Sequence, residues 1–400
     1  MKLFVILSLV ISLFTFSLCY EQVWEVNENY DILFASIITR HGARAALHAL
    51  VDEPYDWNCG GMMIDSYTQG DYSSLPNSFI RYTYTENNNT LPGSCALGQL
   101  TENGYSEHKT LGEQWKDIYG SSGNGLLPSE YDPSRVLLRS VDLPRTHQSL
   151  KGELDGMFPD FSGYYQVETT DYTRESMVSD VSHCTELNEV RNAIYEEPGW
   201  VFYMAELESD REDLCLATGD TTYTYGWDSF YDNFTARTAQ GVPFPDPVTY
   251  EEINQTNKYA DFRMKYEYGG VPDTPDRTTY QSLGIGRFMT ELADEWDSVL
   301  DCVESGADVC PTFRFYSGQD ITISPMMSVI GDWDYTWPPY AAHIQLELVE
   351  DVSTDEVFIR ALYQDEAIIM EGCNEIFCPI DTVSARWRSF YPENYDERCY

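Results

Sequence analysis

Arg40-His41-Gly42-Ala43-Arg44 places one imidazole between two guanidinium groups. A neutral imidazole is a nucleophile, and two arginines can hold a planar, multi-oxygen anion through paired N–H donors. The chemistry this suggests is attack on a bound anionic ester. Gly42 is expected to let the backbone approach that ligand closely. Cations are scarce in this chain, with 24 Lys and Arg against 66 Asp and Glu and a formal net charge of -42. An Arg-His-Arg grouping stands out against that background. The competing reading is an arginine pair bridged to nearby acids.

The same charge repels polyanions, so nucleic acid and acidic membrane surfaces are poor partners. It also poses a difficulty, because an anionic substrate requires the few cations to gather in one place. As pH falls, carboxylates take up protons and the surrounding repulsion weakens, which suits work in an acidic compartment. With 42% hydrophobic and 14% aromatic residues the chain has the material for a core, which argues against disorder. Its 400 residues suit one large or two ordinary domains.

The elements that must position these groups can be read from periodicity. Asp31–Thr39 is a β-rich apolar run, a buried strand ending at the Arg-His-Gly loop. Ligand sites in open α/β sheets lie at such strand ends. Gly104–Tyr119 reads as a helix with Tyr105, Leu111, Trp115 and Ile118 near one face. Val136–Leu138 is a short strand. A helix follows to about Met157, with Asp142 as its cap and Pro144 in its first turn. From Phe158 to about Gly270 the chain turns irregular and is rich in Tyr, Asp, Thr, Gly and Pro. Helical character returns over Arg277–Leu300, then strands at Thr312–Tyr316, His343–Val349 and Val357–Tyr363. The expectation is an α/β core from residues 20–157 and 285–400, interrupted by an inserted cap over 158–284.

Met1-Lys2 and the apolar run Leu3–Leu18 read as a signal peptide cleaved near Cys19, with an uncleaved anchor as the competing reading. No later run is apolar enough to span a bilayer. Cys59, Cys95, Cys184, Cys215, Cys302, Cys310, Cys373, Cys378 and Cys399 are without any CxxC pair, so disulfides are expected and zinc fingers are not. Nine is odd, so one thiol should be left over. Cys373 and Cys378 could close a small loop. Sequons at Asn88, Asn233 and Asn254 agree with export, to the outside or to a lysosomal or vacuolar lumen.

Arg40 to Ala46 resembles the RHGxRxP signature of the histidine acid phosphatases, with Ala46 where the family has Pro. Gly98–Gly104, with His108 and Leu111-Gly112, is similar to that family's LT..G helix. Leu138-Arg139-Ser140-Val141-Asp142-Leu143-Pro144-Arg145-Thr146 is similar to its RS.D..RT segment, and Phe158-Pro159 follows. Pro338-Pro339-Tyr340-Ala341 with Glu347-Leu348 resembles a late segment, and Cys373 and Cys378 match a late disulfide. The likeness runs from about residue 30 to about residue 380 and is weakest in the insert.

The resemblance implies a mixed central sheet flanked by helices, with a mostly helical or irregular cap. It implies a phosphate monoesterase in which His41 attacks phosphorus and becomes a phosphohistidine. Arg40, Arg44 and Arg139 would bind the phosphate oxygens, an acid would protonate the leaving alcohol, and water would release phosphate. It calls for no metal or cofactor, and a homodimer is compatible with it. Phe315–Thr322 matches the second family motif, a His-Asp pair. Asp320 is the acid, but Gln319 stands where the family has His. Gln319 is expected to face phosphate as a neutral donor, at a loss of about 1–3 kcal/mol, tenfold to a hundredfold in rate. The alternative is an inactive phosphoester-binding protein on the same scaffold. Asp142 and Arg145 read as helix capping and an ion pair. His48, His108 and His147 read as structural or surface residues, and Trp333–Trp337 as core.

Overall fold

The computed structural model describes residues 29–51, 53, 55–59 and 90–400. The leader, Cys19 and the sequon at Asn88 lie outside them. In chain order the elements begin with β1 (Tyr30–Arg40), α1 (Glu102–Tyr119), β2 (Val136–Ser140) and α2 (Pro144–Met157). Four helices follow, α3 (Thr185–Tyr195), α4 (Pro198–Ala217), α5 (Trp227–Gln240) and α6 (Tyr250–Tyr268). Then come α7 (Thr278–Glu304), β3 (Phe313–Gly318), α8 (Asp320–Ile330), β4 (His343–Asp351) and β5 (Glu356–Tyr363). The chain closes with β6 (Glu366–Ile368), β7 (Phe377–Pro379), α9 (Ile380–Arg388) and α10 (Tyr395–Cys399).

Among the described residues seven strands form one mixed sheet in the order β2-β3-β1-β4-β5-β6, with β7 also on β5. β1 and β2 both run parallel to β3, while β4 pairs antiparallel with β1. β1 lies inside the sheet and is buried from Phe34 to Arg40. Strand alternation divides its side chains between two helical layers. Phe34 and Ile38 join the core built with Phe288, Leu292 and Met326. Ala35 and Ile37 join Trp115, Leu150 and Phe315 on the other face.

The helix α1 is rotated from the expected face. Its buried residues are Gly104, His108, Gly112, Trp115 and Tyr119. A Cβ on Gly112 would lie 2.1 Å from the Glu153 carbonyl oxygen, and one on Gly156 2.3 Å from that of Lys109. The glycines let α1 and α2 touch backbone to backbone, a contact that hydropathy does not register. Asp142 is not the cap of α2; Leu143 holds that position, and Asp142 is exposed.

The segment between α2 and α7 contributes no strand to the sheet, and it is largely helical where an irregular chain was read. Its core uses tyrosines, which obscure an apolar stripe. The Tyr195 and Tyr259 hydroxyls donate to Glu267 and Asp228, so the Tyr259 ring can be buried and the Tyr195 ring half-buried with the polar tip satisfied. Asn233 is fully buried, donating to the His48 carbonyl and accepting from Arg237, so the folded chain has no room for a glycan there. Asn254 is exposed on α6.

Disulfides join Cys59–Cys95, Cys184–Cys399, Cys302–Cys310 and Cys373–Cys378, leaving Cys215 as the buried free thiol among the described residues. Among those residues no helix is long and apolar enough to cross a membrane.

Candidate active site

Parallel pairing brings two distant motifs together. Arg40 is in register with Gly318, and Ser140 with Ser317, so β1, β2 and β3 end at one level. The residues just past those ends therefore converge: His41 and Arg44 after β1, Arg145 in the first turn of α2, and Gln319-Asp320 at the start of α8. The His41 N–H donates to the Gly318 carbonyl at 3.1 Å and so stitches the first loop to the second.

His41 is buried, and its Nδ1 lies 2.9 Å from the Gly42 carbonyl. A carbonyl only accepts, so Nδ1 carries the proton and Nε2 keeps its lone pair. Burial, and then the charges of Arg145, Arg40 and Arg44, hold the imidazole pKa well below the usual value. Both effects favour the neutral ring.

The loop around His41 is held rigidly. The Gly42 N–H donates to Ser149 Oγ on α2, the Ala43 N–H donates to Glu107 on α1, and Thr101 Oγ1 donates to the Ala43 carbonyl. Gly42 was expected to make room for a ligand. Its close neighbour is instead Gly104, whose carbonyl oxygen would lie 2.2 Å from a Cβ at position 42. The glycine pair lets the N-terminus of α1 seat against the loop.

Three guanidinium groups face this histidine, and Arg139 is not one of them. Arg139 lies on β2 opposite Tyr316, two residues short of the level at which Arg40 meets Gly318, and on the face that carries Phe288. There it pairs with Glu175 and Glu291 and bonds Ser176. Arg145 takes the third place. Far from pairing with an acid, it donates to the side-chain oxygen of Gln319. Burial and the neighbouring charge of Arg44 lower its pKa to about 10. An arginine held among other cations is short of negative charge. The buried Nε atoms of Arg40, Arg44 and Arg145 have no hydrogen-bond partner among the described residues. The cluster has donors to spare for an anion.

Asp320 answers part of that charge. Its carboxylate lies 3.1 Å from Arg40 Nη2 and accepts from Trp337 Nε1 at 3.0 Å. Burial pushes its pKa up, but Arg40, Arg44 and the Trp337 bond together bring it below the ordinary carboxylate value. Trp337 thus touches the site while packing against the core, and Trp333 is buried as expected. The Tyr340 ring lies 4.5 Å from the Arg40 guanidinium and 5.7 Å from that of Arg44, a cation–π platform under both.

Gln319 is engaged on both sides of its amide. Arginine only donates, so the oxygen faces Arg145, and Nε2 donates to Tyr172 at 3.3 Å. No histidine replaces the missing one. His343 is bound to Asp365, His108 is buried against Glu153, and His183 is held by Asp180 with its ring 6.2 Å from that of Tyr172. His147 lies beside Asp142, and His48 is half exposed beside Asp232.

Two charged residues of the site were not legible as such in the sequence. Arg145 was visible but assigned to capping; its place in the first turn of a helix after a parallel strand is the signal that distinguishes it from Arg139. Asp232, on α5, pairs with Arg44 at 2.7 Å, and no local pattern in that segment marks it.

Residues 31–364 match the histidine phosphatase superfamily (branch 2). The chain is 28% identical to counting factor 60 of Dictyostelium discoideum, over 93% of this chain and 89% of the relative. It is 24% identical to mouse (Mus musculus) lysophosphatidic acid phosphatase type 6, over 92% and 88%. Lysosomal acid phosphatase of Bos taurus is 19% identical over 92% and 79%. Among solved structures, the phytase of Citrobacter braakii superposes with a TM-score of 0.62 at 15% identity, over 91% of this chain and 99% of the phytase, a likeness of fold.

Proposed function

The chain belongs to the histidine phosphatase superfamily, branch 2, and on that premise we propose that it is an acid phosphatase acting on phosphate monoesters, with His41 as nucleophile. One observation carries the reading: a neutral histidine, its Nδ1 proton tied to Gly42, lies beside three arginines of which Arg145 has no acid partner among the described residues. Such a site has the donors to hold an anion.

Arg40, Arg44 and Arg145 hold the phosphate oxygens and stabilise the charge that spreads over them in the transition state. The third ligand is thus Arg145, in place of Arg139. His41 Nε2 forms a bond to phosphorus as the ester P–O bond breaks, and the leaving oxygen takes a proton from the Asp320 carboxyl. Asp320 then accepts a proton from water, whose oxygen attacks phosphorus and frees Nε2. Without substrate the arginines keep Asp320 ionised. Bound phosphate neutralises them, which raises the Asp320 pKa and favours the acid form that the first step needs. A cavity of about 140 Å³ adjoins Asp320 and is lined by Trp337, Tyr268, Tyr280, Met264 and Arg191, which supports a leaving group on that side. Four disulfides and the leader-like N-terminus favour an oxidising compartment, outside the cell or in a lysosomal or vacuolar lumen.

A second reading is anion binding without turnover. It is favoured by Gln319, which supplies no charge and is already bonded to Arg145 and Tyr172. One experiment decides between them. Purified protein is assayed for phosphate release from a simple aryl phosphate at about pH 5, with His41→Ala as control. Release above the control supports the enzyme; vanadate binding with no release selects the second reading.

A further inference from the structure

Arg44 is oriented from outside the sheet. Its Nη1 lies 2.7 Å from Asp232 Oδ1, both side chains nearly buried. Asp232 stands on α5, almost two hundred residues away in sequence. Its second oxygen accepts the backbone N–H groups of Leu47 at 2.7 Å and His48 at 3.3 Å, the turn that leaves the Arg-His-Gly loop. The next residue of the helix, Asn233, donates to the His48 carbonyl at 2.8 Å. One turn of α5 therefore clasps the exit of the loop and the guanidinium of Arg44 together.

We propose that Asp232 is a positioning residue: acting through Arg44, it turns that guanidinium so that its free edge meets the transferred phosphate, which makes the helical insert part of the anion site. A guanidinium is planar and donates from fixed edges. A carboxylate that occupies one edge determines where the other points. The carboxylate also places a negative charge near the anion, so its effects on geometry and on affinity oppose each other. Asp232 should weaken ground-state binding of phosphate while raising the rate of its transfer. A residue that merely stabilised the fold would not separate the two quantities.

The inference rests on the phosphatase reading, and the test separates them. Asp232→Asn is isosteric and keeps an acceptor for Leu47 and His48 but loses the charge. In this variant kcat for an aryl phosphate should fall about tenfold or more through misorientation. Inorganic phosphate, measured by calorimetry, should bind about threefold tighter because a like charge is gone. An unchanged kcat, or a fall in kcat accompanied by weaker phosphate binding, overturns the proposal. Should Asp232→Asn not fold, judged by its melting transition, Asp232→Glu carries the test. It keeps the charge and displaces it by one methylene, so kcat must again fall, and a wild-type value overturns the proposal. If the wild-type protein binds phosphate without turnover, the phosphatase reading fails, and Asp232 is judged on binding alone: Asp232→Asn must still tighten phosphate, and an unchanged Kd overturns it.

Discussion

The guanidinium of Arg145 donates to the side-chain oxygen of Gln319, so two residues that follow different parallel strands are joined at the strand ends. The bond gives Gln319 a role besides that of a substitute for histidine. It supplies an acceptor to a buried cation without supplying negative charge, and so leaves that cation available to an anion.

Gln319→Glu tests this directly. A carboxylate in the same place would pair with Arg145 and neutralise it, and the pair would then have to be broken for phosphate to bind. We expect KM for an aryl phosphate to rise about tenfold or more in Gln319→Glu, and by less in Gln319→Ala. Equal effects of the two substitutions would show that charge at this position does not matter.

Arg145 and Arg139 should differ in kind. Arg145→Ala removes a donor to the anion, and kcat/KM should fall about a hundredfold or more with little change in melting temperature. Arg139→Ala strands the buried carboxylate of Glu175, at a stability cost of about 3–5 kcal/mol. The folded Arg139→Ala protein should keep phosphate affinity within a few-fold of wild type. A chemical-denaturation series alongside steady-state kinetics distinguishes the two patterns.

Asp232 links pH to stability. Burial disfavours its charge, but Arg44 and the bonds from His48 and Leu47 lower its pKa to about 2, against 3.8 for a free aspartate. A depressed carboxyl pKa contributes stability above the unfolded value and loses it as pH falls toward the folded one. The contribution, about 2 kcal/mol, is thus intact at about pH 5 and is lost between about pH 4 and about pH 2. Urea midpoints across that window should fall for the wild type and fall less steeply for Asp232→Asn.

The Cys184–Cys399 disulfide joins the start of α3 to the last helix across 215 residues of sequence. Replacing both cysteines by Ser should lower stability by about 2–5 kcal/mol, because the unfolded chain regains the freedom of a long loop. Phosphate release at low temperature should be retained, since neither residue touches the site. Loss of activity in a folded variant would contradict this separation.

The sequence by itself singled out His41, Arg40, Arg44 and Asp320 as candidates. The first three stand together in one short motif directly after an apolar strand, and Asp320 is found through the resemblance of Phe315–Thr322 to the second family motif. It also determined the strands, because a buried run such as Phe34–Arg40 declares itself by composition. Tertiary structure alone decided which arginine completes the cluster. Arg139 and Arg145 belong to one motif, and only the fold sets Arg139 back along β2 against Glu175 and Glu291 and leaves Arg145 at the strand ends. It alone revealed Asp232, since an ion pair spanning almost two hundred residues leaves no local trace. The negative charge that seemed unsuited to an anionic substrate is resolved in the same way. Net charge is a sum over the whole chain, whereas affinity for an anion depends on the few guanidinium groups within contact distance of it and on how they are turned.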